Sequence, residues 1–464
     1  MSGTYDFDLF VIGGGSAGVR TARIAATHGA RVGIAEGRFW GGTCVNVGCV
    51  PKKLMVNAAE YGTWAEDAAA FGWSFGERRH DWMTLVRARD EEVGRIAAVY
   101  ARMLNAAGAK TYEGRARFLG PHEIEVETPD GAQRVTAARI VIAVGGHPTR
   151  PSIPGAALGM ISDDLFTLQE MPRRVLMVGA GYIGLEFGNL LHGLGAEVTV
   201  AYRQSLPLRG FDHELREAIA ETLTQNGLTL LPNETPAEIT ERGGTKVVRF
   251  LSGKVVEADA VILATGRAPN TRGMNLEAAG LTAREGHPIP VDDDHATNVP
   301  HIYALGDVTD RVNLTPFATA TGHALADTLF GNRPRKVSYE NVPKAVFTTP
   351  PMSSVGLTEE EAAVRGPADI YTARFTPLRH TITKRAGRRA LMKLVVEAGT
   401  GRLLGAHMLG EDSPEIMQGM AVAVVNGLTK AQLDATIGIH PTVAEEFVTL
   451  RTATRRVGDA AKAA

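Results

Sequence analysis

The sequence predicts an α/β chain: two copies of one parallel βαβ unit, followed by a third domain of mixed α+β type. Three observations carry that expectation. An apolar run leads into a spaced glycine motif within residues 7–36 and again within residues 173–203. Further apolar segments with glycine ends, ARIVIAVGG and ADAVILATGRAPN, stand between and beyond these units. After about Asn341 the pattern shifts to the strands ALMKLVVEA and RLLGAHMLG, then to helices from Pro414. Alternating β and α segments form parallel sheets, and ligands collect at the carboxyl ends of their strands.

The first unit reads FDLFVIGGGSAGVRTARIAATHGARVGIAE. Its strand ends at Gly13, and the spacing Gly13, Gly15, Gly18, with Ser16 inside it, opens an alanine-rich helix. A second strand then ends at Glu36. Glycines let the backbone approach a pyrophosphate, the helix N-terminus stabilises its charge, and the acid can bind a ribose hydroxyl pair. The unit is expected to hold a dinucleotide.

The next stretch, GGTCVNVGCVPKK, contains Cys44 and Cys49, the only two cysteines among 464 residues. Five residues of regular helix advance about 7.5 Å. With the angular offset this exceeds the roughly 4.4–6.8 Å between the Cα atoms of a relaxed disulfide. A bond between them therefore requires a bent segment. The pair alone leaves four readings open: buried apolar packing, a structural staple, half a metal site, or a labile redox disulfide.

The second unit, RRVLMVGAGYIGLEFGNLLHGLGAEVTVAYR, repeats the plan with Gly179, Gly181 and Gly184. Its second strand ends in Ala201-Tyr202-Arg203 without a carboxylate, and Arg209 follows shortly after. A carboxylate would repel a 2′-phosphate, whereas guanidinium groups bind it through charge-assisted hydrogen bonds. The second nucleotide is expected to be NADPH. ADAVILATGRAPN carries Gly266 at its glycine end, and HIYALGDV places Asp307 after another strand. A turn former or N-cap is the plain reading of Asp307.

Composition narrows the function classes. A chain that is 44% hydrophobic and 22% charged has room for about three domains and the balance of a globular enzyme. A formal net charge of −2 argues against nucleic acid or an anionic membrane as the main partner. The cluster Lys384, Arg385, Arg388 and Arg389 is expected to be a solvated loop. The N-terminal residues run into a strand without the basic leader and apolar core of a signal peptide. No apolar run approaches the ~20 residues of a membrane span. A cytoplasmic protein is expected, in which disulfides tend to be transient and catalytic.

Taken together, GGTCVNVGCVPKK, GAGYIGLEF, ATGRAPNT, ALGDV, LTPFA, FTPLRHTITKR and IGIHPTVAEEFVTLR resemble the pyridine nucleotide-disulfide oxidoreductase family, class I, in collinear order. The resemblance implies FAD on the first unit, with Glu36 on the ribose and Thr43 near the phosphates. Asp307 and Thr315 would lie near the ribityl chain and isoalloxazine. It implies a redox disulfide in which Cys49 lies against the flavin and Cys44 exchanges with the substrate. His440 would be the acid-base catalyst, oriented by Glu445, and Lys52 with Glu186 would form an ion pair beside the flavin. Tyr182 would cover the flavin face.

The resemblance also implies an obligate homodimer, because the family's C-terminal base completes the partner's active site. The implied substrate is glutathione disulfide, with Arg23 and Tyr100 at positions that line its site. Two residues depart from the family pattern there: His323 replaces a usual arginine, and Arg20 replaces a usual small residue. The expected domains are residues 1–145 for FAD, 146–270 for NADPH, 271–340 for the second part of the FAD and central domain, and 341–464 for dimerisation.

Overall fold

The computed structural model describes residues 4–458. The first residues of the N-terminal stretch, 1–3, and the end of the last expected domain, 459–464, lie outside them.

The first βαβ unit forms as β1 (Phe7–Ile12), α1 (Ser16–Thr27) and β2 (Val32–Glu36). Leu9, Phe10 and Val11 are fully buried, because a parallel strand is covered on both faces and so runs apolar without alternation. The chain continues through α2 (Gly42–Asn46), α3 (Cys49–Asp67) and α4 (Trp82–Ala106). Then come β3 (Lys110–Glu113), β4 (Arg115–Phe118), β5 (Glu123–Thr128) and β6 (Gly131–Ile142). The sheet order is β3-β2-β1-β6-β5-β4, with the strand Ile302–Ala304 also paired to β6.

Most of this sheet is parallel, but β5 pairs antiparallel with both β6 and β4, an extension that strand–helix alternation alone does not predict. The cause is loop length. Only residues 129–130 separate β5 from β6, and a parallel crossover needs a dozen residues or more.

The second unit adds β7 (Gly146–Pro148), β8 (Met160–Ile161), β9 (Arg174–Val178), α5 (Tyr182–Gly193), β10 (Glu197–Tyr202), α6 (His213–Gln225) and β11 (Thr229–Pro232). Strands β11, β10, β9, Ala260–Leu263 and β8 form a parallel sheet in that order. Helix α7 (Thr315–Phe330) returns onto α1. The two helices approach closely at Gly322, where a Cβ would fall 2.7 Å from the Ala17 carbonyl oxygen.

The C-terminal region is a six-stranded antiparallel sheet backed by the helix Ser413–Val425, which gives the expected α+β character. One buried cluster joins Met55 and Val56 of α3, Leu185 and Phe187 of α5, and Val346, Leu391 and Leu409 of this sheet. The start of α3 is thus held by apolar packing from both other regions.

The basic cluster at 384–389 is more than a solvated loop. Arg388 is buried, and Arg385 pairs with Asp67 at 2.6 Å and Glu66 at 2.9 Å, because the segment packs against the end of α3. Among the described residues no helix is long and apolar enough to cross a membrane.

Candidate active site

Both glycine loops use the same three devices. Gly13 and Gly179 have φ of +109° and +110°, which an L side chain rarely adopts. A Cβ on Gly18 would sit 1.9 Å from the Gly13 carbonyl oxygen, and one on Gly184 2.0 Å from that of Gly179. Each third glycine therefore lets its helix pack on the loop. The middle glycines face space: a Cβ on Gly181 would meet nothing within 4 Å, and one on Gly15 only the Cα of Gly42 at 3.9 Å. These are cradles open at the N-termini of α1 and α5.

The tips of the second strands differ. Glu36 accepts hydrogen bonds from the backbone N–H groups of Gly14 at 2.6 Å, Arg38 at 2.6 Å and Phe39 at 3.1 Å. These fix the carboxylate beside the first cradle while leaving acceptor capacity on its oxygens. At the second tip, Arg203 and Arg209 are exposed, and neither has an ion-pair partner among the described residues.

The cysteine segment is laced to the first cradle by a hydrogen bond from Gly41 N–H to the Gly14 carbonyl, 2.9 Å long. Thr43 and Cys44 lie in α2, and Cys49 opens α3. The helix breaks between the two cysteines, supplying the bend that their spacing demands. Gly48 permits it, since a Cβ there would fall 2.7 Å from the Thr43 carbonyl oxygen. Both cysteines are free thiols, Cys44 half-buried and Cys49 exposed.

Their acidities diverge. A hydrogen bond from the Cys44 thiol, then the Lys52 ammonium and the Thr315 hydroxyl, pull the Cys49 thiol down to about 6. Thr315 Oγ1 stands 3.8 Å from Cys49 Sγ. The N-terminal dipole of α3 acts in the same direction. The Cys44 thiol is pushed up, first by the hydrogen bond to Cys49 and then by burial.

Lys52 and Glu186 form a buried ion pair of 2.9 Å between α3 and α5. The other Glu186 oxygen accepts the Phe347 N–H at 2.9 Å, and Lys52 Nζ lies 4.7 Å from the centroid of the Phe347 ring. Tyr182 opens α5 and is exposed. Gly266 has a φ of +156°, and Arg267 beside it reaches to 4.0 Å from Asp307. Burial raises the Asp307 carboxyl above its ordinary range.

His440 Nδ1 lies 3.0 and 3.1 Å from the two Glu445 oxygens, so with its proton on Nδ1 the ring presents Nε2 as an acceptor. Its side chain is 81% exposed. Among the described residues no hydrogen bond or ion pair links His440 or Glu445 to either cysteine. Ile437 and Ile439, just before His440, are 93% and 76% exposed.

Residues 7–322 match the pyridine nucleotide-disulphide oxidoreductase family, and residues 342–451 match its dimerisation domain. The chain belongs to this family. It is 47% identical to a glutathione reductase of Burkholderia cepacia, over 96% of this chain and 99% of that protein. A Nostoc glutathione reductase is 44% identical over 97% of this chain and all of its own length. A trypanothione reductase of Trypanosoma congolense is 39% identical over 96% of this chain and 95% of its own. Membership in the family therefore leaves the disulfide substrate open.

At the position where substrate choice was expected, this member of the oxidoreductase family brings α1 and α7 together. Arg20 Nη1 is 3.4 Å from His323 Nδ1, and His323 Nε2 is 3.6 Å from Asp327, which also binds His28 and Arg335. Arg23 is half-buried and makes no hydrogen bond or ion pair among the described residues. Tyr100 is half-buried, and its hydroxyl feels both Cys44 and Arg20. Sequence reasoning missed Asp327, Arg267 and Phe347, since each also meets a group far along the chain: His28, the Gly146 carbonyl, and Glu186 with Lys52. An Asp four residues after His323 on one helix was the available signal.

Proposed function

We propose that the chain is an NADPH-dependent flavoprotein that reduces glutathione disulfide, working as a homodimer in the cytoplasm. The observation that carries this reading is the Cys44–Cys49 pair, bent at Gly48, in a segment tied to the first open cradle by Gly41–Gly14 and to the helix of the second by Lys52–Glu186. The cradles fit the cofactors: the middle glycines leave space where a pyrophosphate needs close backbone approach, and the two strand tips carry opposite charge. Gly13, Gly15, Ser16, Gly18, Glu36, Thr43, Asp307 and Thr315 would hold FAD. Gly179, Gly181, Gly184, Arg203, Arg209 and Gly266 would hold NADPH, with Tyr182 between the two cofactors.

When bound, FAD supplies a centre that takes a hydride from NADPH and passes an electron pair to sulfur. The protein's own groups do the rest. The hydrogen bond from Cys44, helped by the Lys52 ammonium that Glu186 holds, keeps Cys49 as a thiolate. Cys44, whose pKa is raised, needs a base to become a nucleophile. His440 of a second copy takes that proton, and Glu445 holds its ring. Cys44 sulfur then attacks one sulfur of the substrate, breaking the substrate S–S bond and forming a mixed disulfide. The first glutathione leaves as a thiolate and is protonated by His440. Cys49 thiolate attacks the Cys44 sulfur, closing the Cys44–Cys49 disulfide and releasing the second glutathione. The exposed Ile437 and Ile439 beside His440 favour a second copy covering this face.

Arg20 and Arg23 favour an acidic disulfide over a cationic one. The test is NADPH oxidation with glutathione disulfide, trypanothione disulfide and lipoamide in turn. Glutathione disulfide should be used at least tenfold faster in kcat/KM than either rival. His440→Ala should slow the disulfide half-reaction while sparing flavin reduction, and Cys44→Ser should abolish turnover. A preference for trypanothione disulfide, or a His440→Ala defect confined to flavin reduction, would defeat the reading.

A further inference from the structure

The loop between β10 and α6 carries both exposed arginines, and two other cations fasten its backbone. Arg216, on α6, donates from Nε to the Pro207 carbonyl at 2.7 Å and from Nη2 to the Leu206 carbonyl at 3.0 Å. Lys344, on the C-terminal sheet, donates from Nζ to the Gly210 carbonyl at 3.0 Å and lies 4.3 Å from the centroid of the Phe211 ring. Between them, Leu208 N–H donates to the carbonyl of Ala180 in the second glycine loop at 2.9 Å. Leu208 is buried with φ +53°, a left-handed conformation that an ordinary side chain keeps only when its surroundings hold it. Asp212 closes the loop: it caps α6 and accepts from the buried Lys393 at 2.8 Å.

Arg209 therefore sits between two pinned residues, Leu208 and Gly210, and its guanidinium starts from a fixed base. A loop held before binding loses less freedom on binding. We propose that Arg216 and Lys344 are positioning residues for nucleotide selection, holding this loop so that Arg203 and Arg209 meet the 2′-phosphate of NADPH. The proposal rests on the reading of Arg203 and Arg209 given above. Because Lys344 belongs to the region that matches the dimerisation domain, cofactor choice becomes coupled to the docking of that region on the nucleotide unit.

The experiment uses the FAD-loaded enzyme and calorimetric titration with adenosine 2′,5′-bisphosphate and with AMP, together with KM for NADPH and NADH. Arg216→Met should weaken the bisphosphate at least tenfold, leave AMP within twofold, and raise KM for NADPH alone. Arg216→Lys keeps the charge but cannot span both carbonyls, so it should still lose threefold or more. Lys344→Met should lose about threefold. Equal weakening of both nucleotides in Arg216→Met would reduce the residue to general support, and wild-type binding in Arg216→Lys would reduce it to a distant charge; either overturns the clamp. Arg203→Ala separates the two levels. Unchanged bisphosphate binding there removes the 2′-phosphate reading and the clamp with it, whereas a loss there beside normal Arg216→Met binding removes the clamp only.

Discussion

The two βαβ units have nearly superimposable logic and opposite electrostatics. Their first glycines share a φ near +110°, and each third glycine lies against the carbonyl of the first glycine in its own loop. Yet Glu36 stands where the second unit has Tyr202 followed by Arg203, and Arg20 of α1 corresponds in spacing to Glu186 of α5. Backbone requirements set by a pyrophosphate are common to any dinucleotide, so glycine positions repeat. Charges answer to what lies beyond the pyrophosphate, so they diverge. Glu186 and Arg20 also face different tasks: one fixes Lys52 beside Cys49, and the other meets His323 across the α1–α7 crossing.

Breaking the shared part should have the largest effect. An added Cβ on Gly18 or Gly184 strikes backbone, which cannot rotate away. Gly18→Ala should purify with little FAD, measured as flavin absorbance per chain. Gly184→Ala should keep its flavin and lose NADPH binding in a titration. The reverse pattern would exchange the two assignments.

Next comes the divergent pair inside the core. Lys52→Met leaves Glu186 buried without its cation, which costs about 3–5 kcal/mol. The melting temperature should fall, and the reduced Cys49 thiol, pulled down to about 6 first by Cys44 and then by Lys52, should titrate higher once the lysine is gone. Because that pKa is depressed, the thiolate is present above it and lost as pH falls through it; the mutant should lose it at higher pH. A thiol titration that is unmoved in Lys52→Met would remove the lysine from thiolate stabilisation.

Arg203→Glu sharpens the contrast at the strand tips by giving the second unit the first unit's charge. Losing a charge-assisted hydrogen bond amounts to about 1.5–3 kcal/mol, or roughly 10- to 150-fold. The ratio of kcat/KM for NADPH over NADH should drop by that factor. Wild-type enzyme with no preference between the two would contradict the expectation at its source.

Both units, the bent cysteine segment and the change of architecture after Asn341 were legible because each rests on local pattern: glycine spacing, apolar runs and helix breaks. The antiparallel strands β4 and β5 were not, since their direction follows from loop length rather than from periodicity. Side-chain partnerships across long separations were also hidden. The resemblance puts Arg20 and His323 at one site, but nothing in either motif announces that the two side chains meet, or that Arg216 turns back on the carbonyls of Leu206 and Pro207. The 384–389 run misled because a run of cations reads as solvated until the acidic end of α3 beside Arg385 and Glu411 beside Arg388 are seen.

His323 carries the smallest expected effect, and the structure moves its pH window. An unperturbed imidazole would lose its charge near neutrality, so binding of an acidic disulfide would weaken there. Here burial lowers the His323 pKa below its ordinary 6.5; Arg20, Arg335 and Arg23 push it the same way, and only Asp327 opposes them. A cation with a lowered pKa exists only on the acid side of that value, so its attraction for a carboxylate fades before neutrality is reached. Above it, the neutral ring can accept from Arg20 at Nδ1 while Nε2–H faces Asp327. KM for glutathione disulfide should therefore rise on the acid side of 6.5 and stay flat from pH 7 to 8. The change should be about 1 kcal/mol or less, because the contact is partly exposed. His323→Arg should flatten the acidic limb, since a guanidinium stays charged throughout. Identical acidic limbs in the two proteins would leave recognition to Arg20, Arg23 and Tyr100, and a wild-type change centred between pH 7 and 8 would mean that His323 keeps its charge into neutrality despite the three arginines around it.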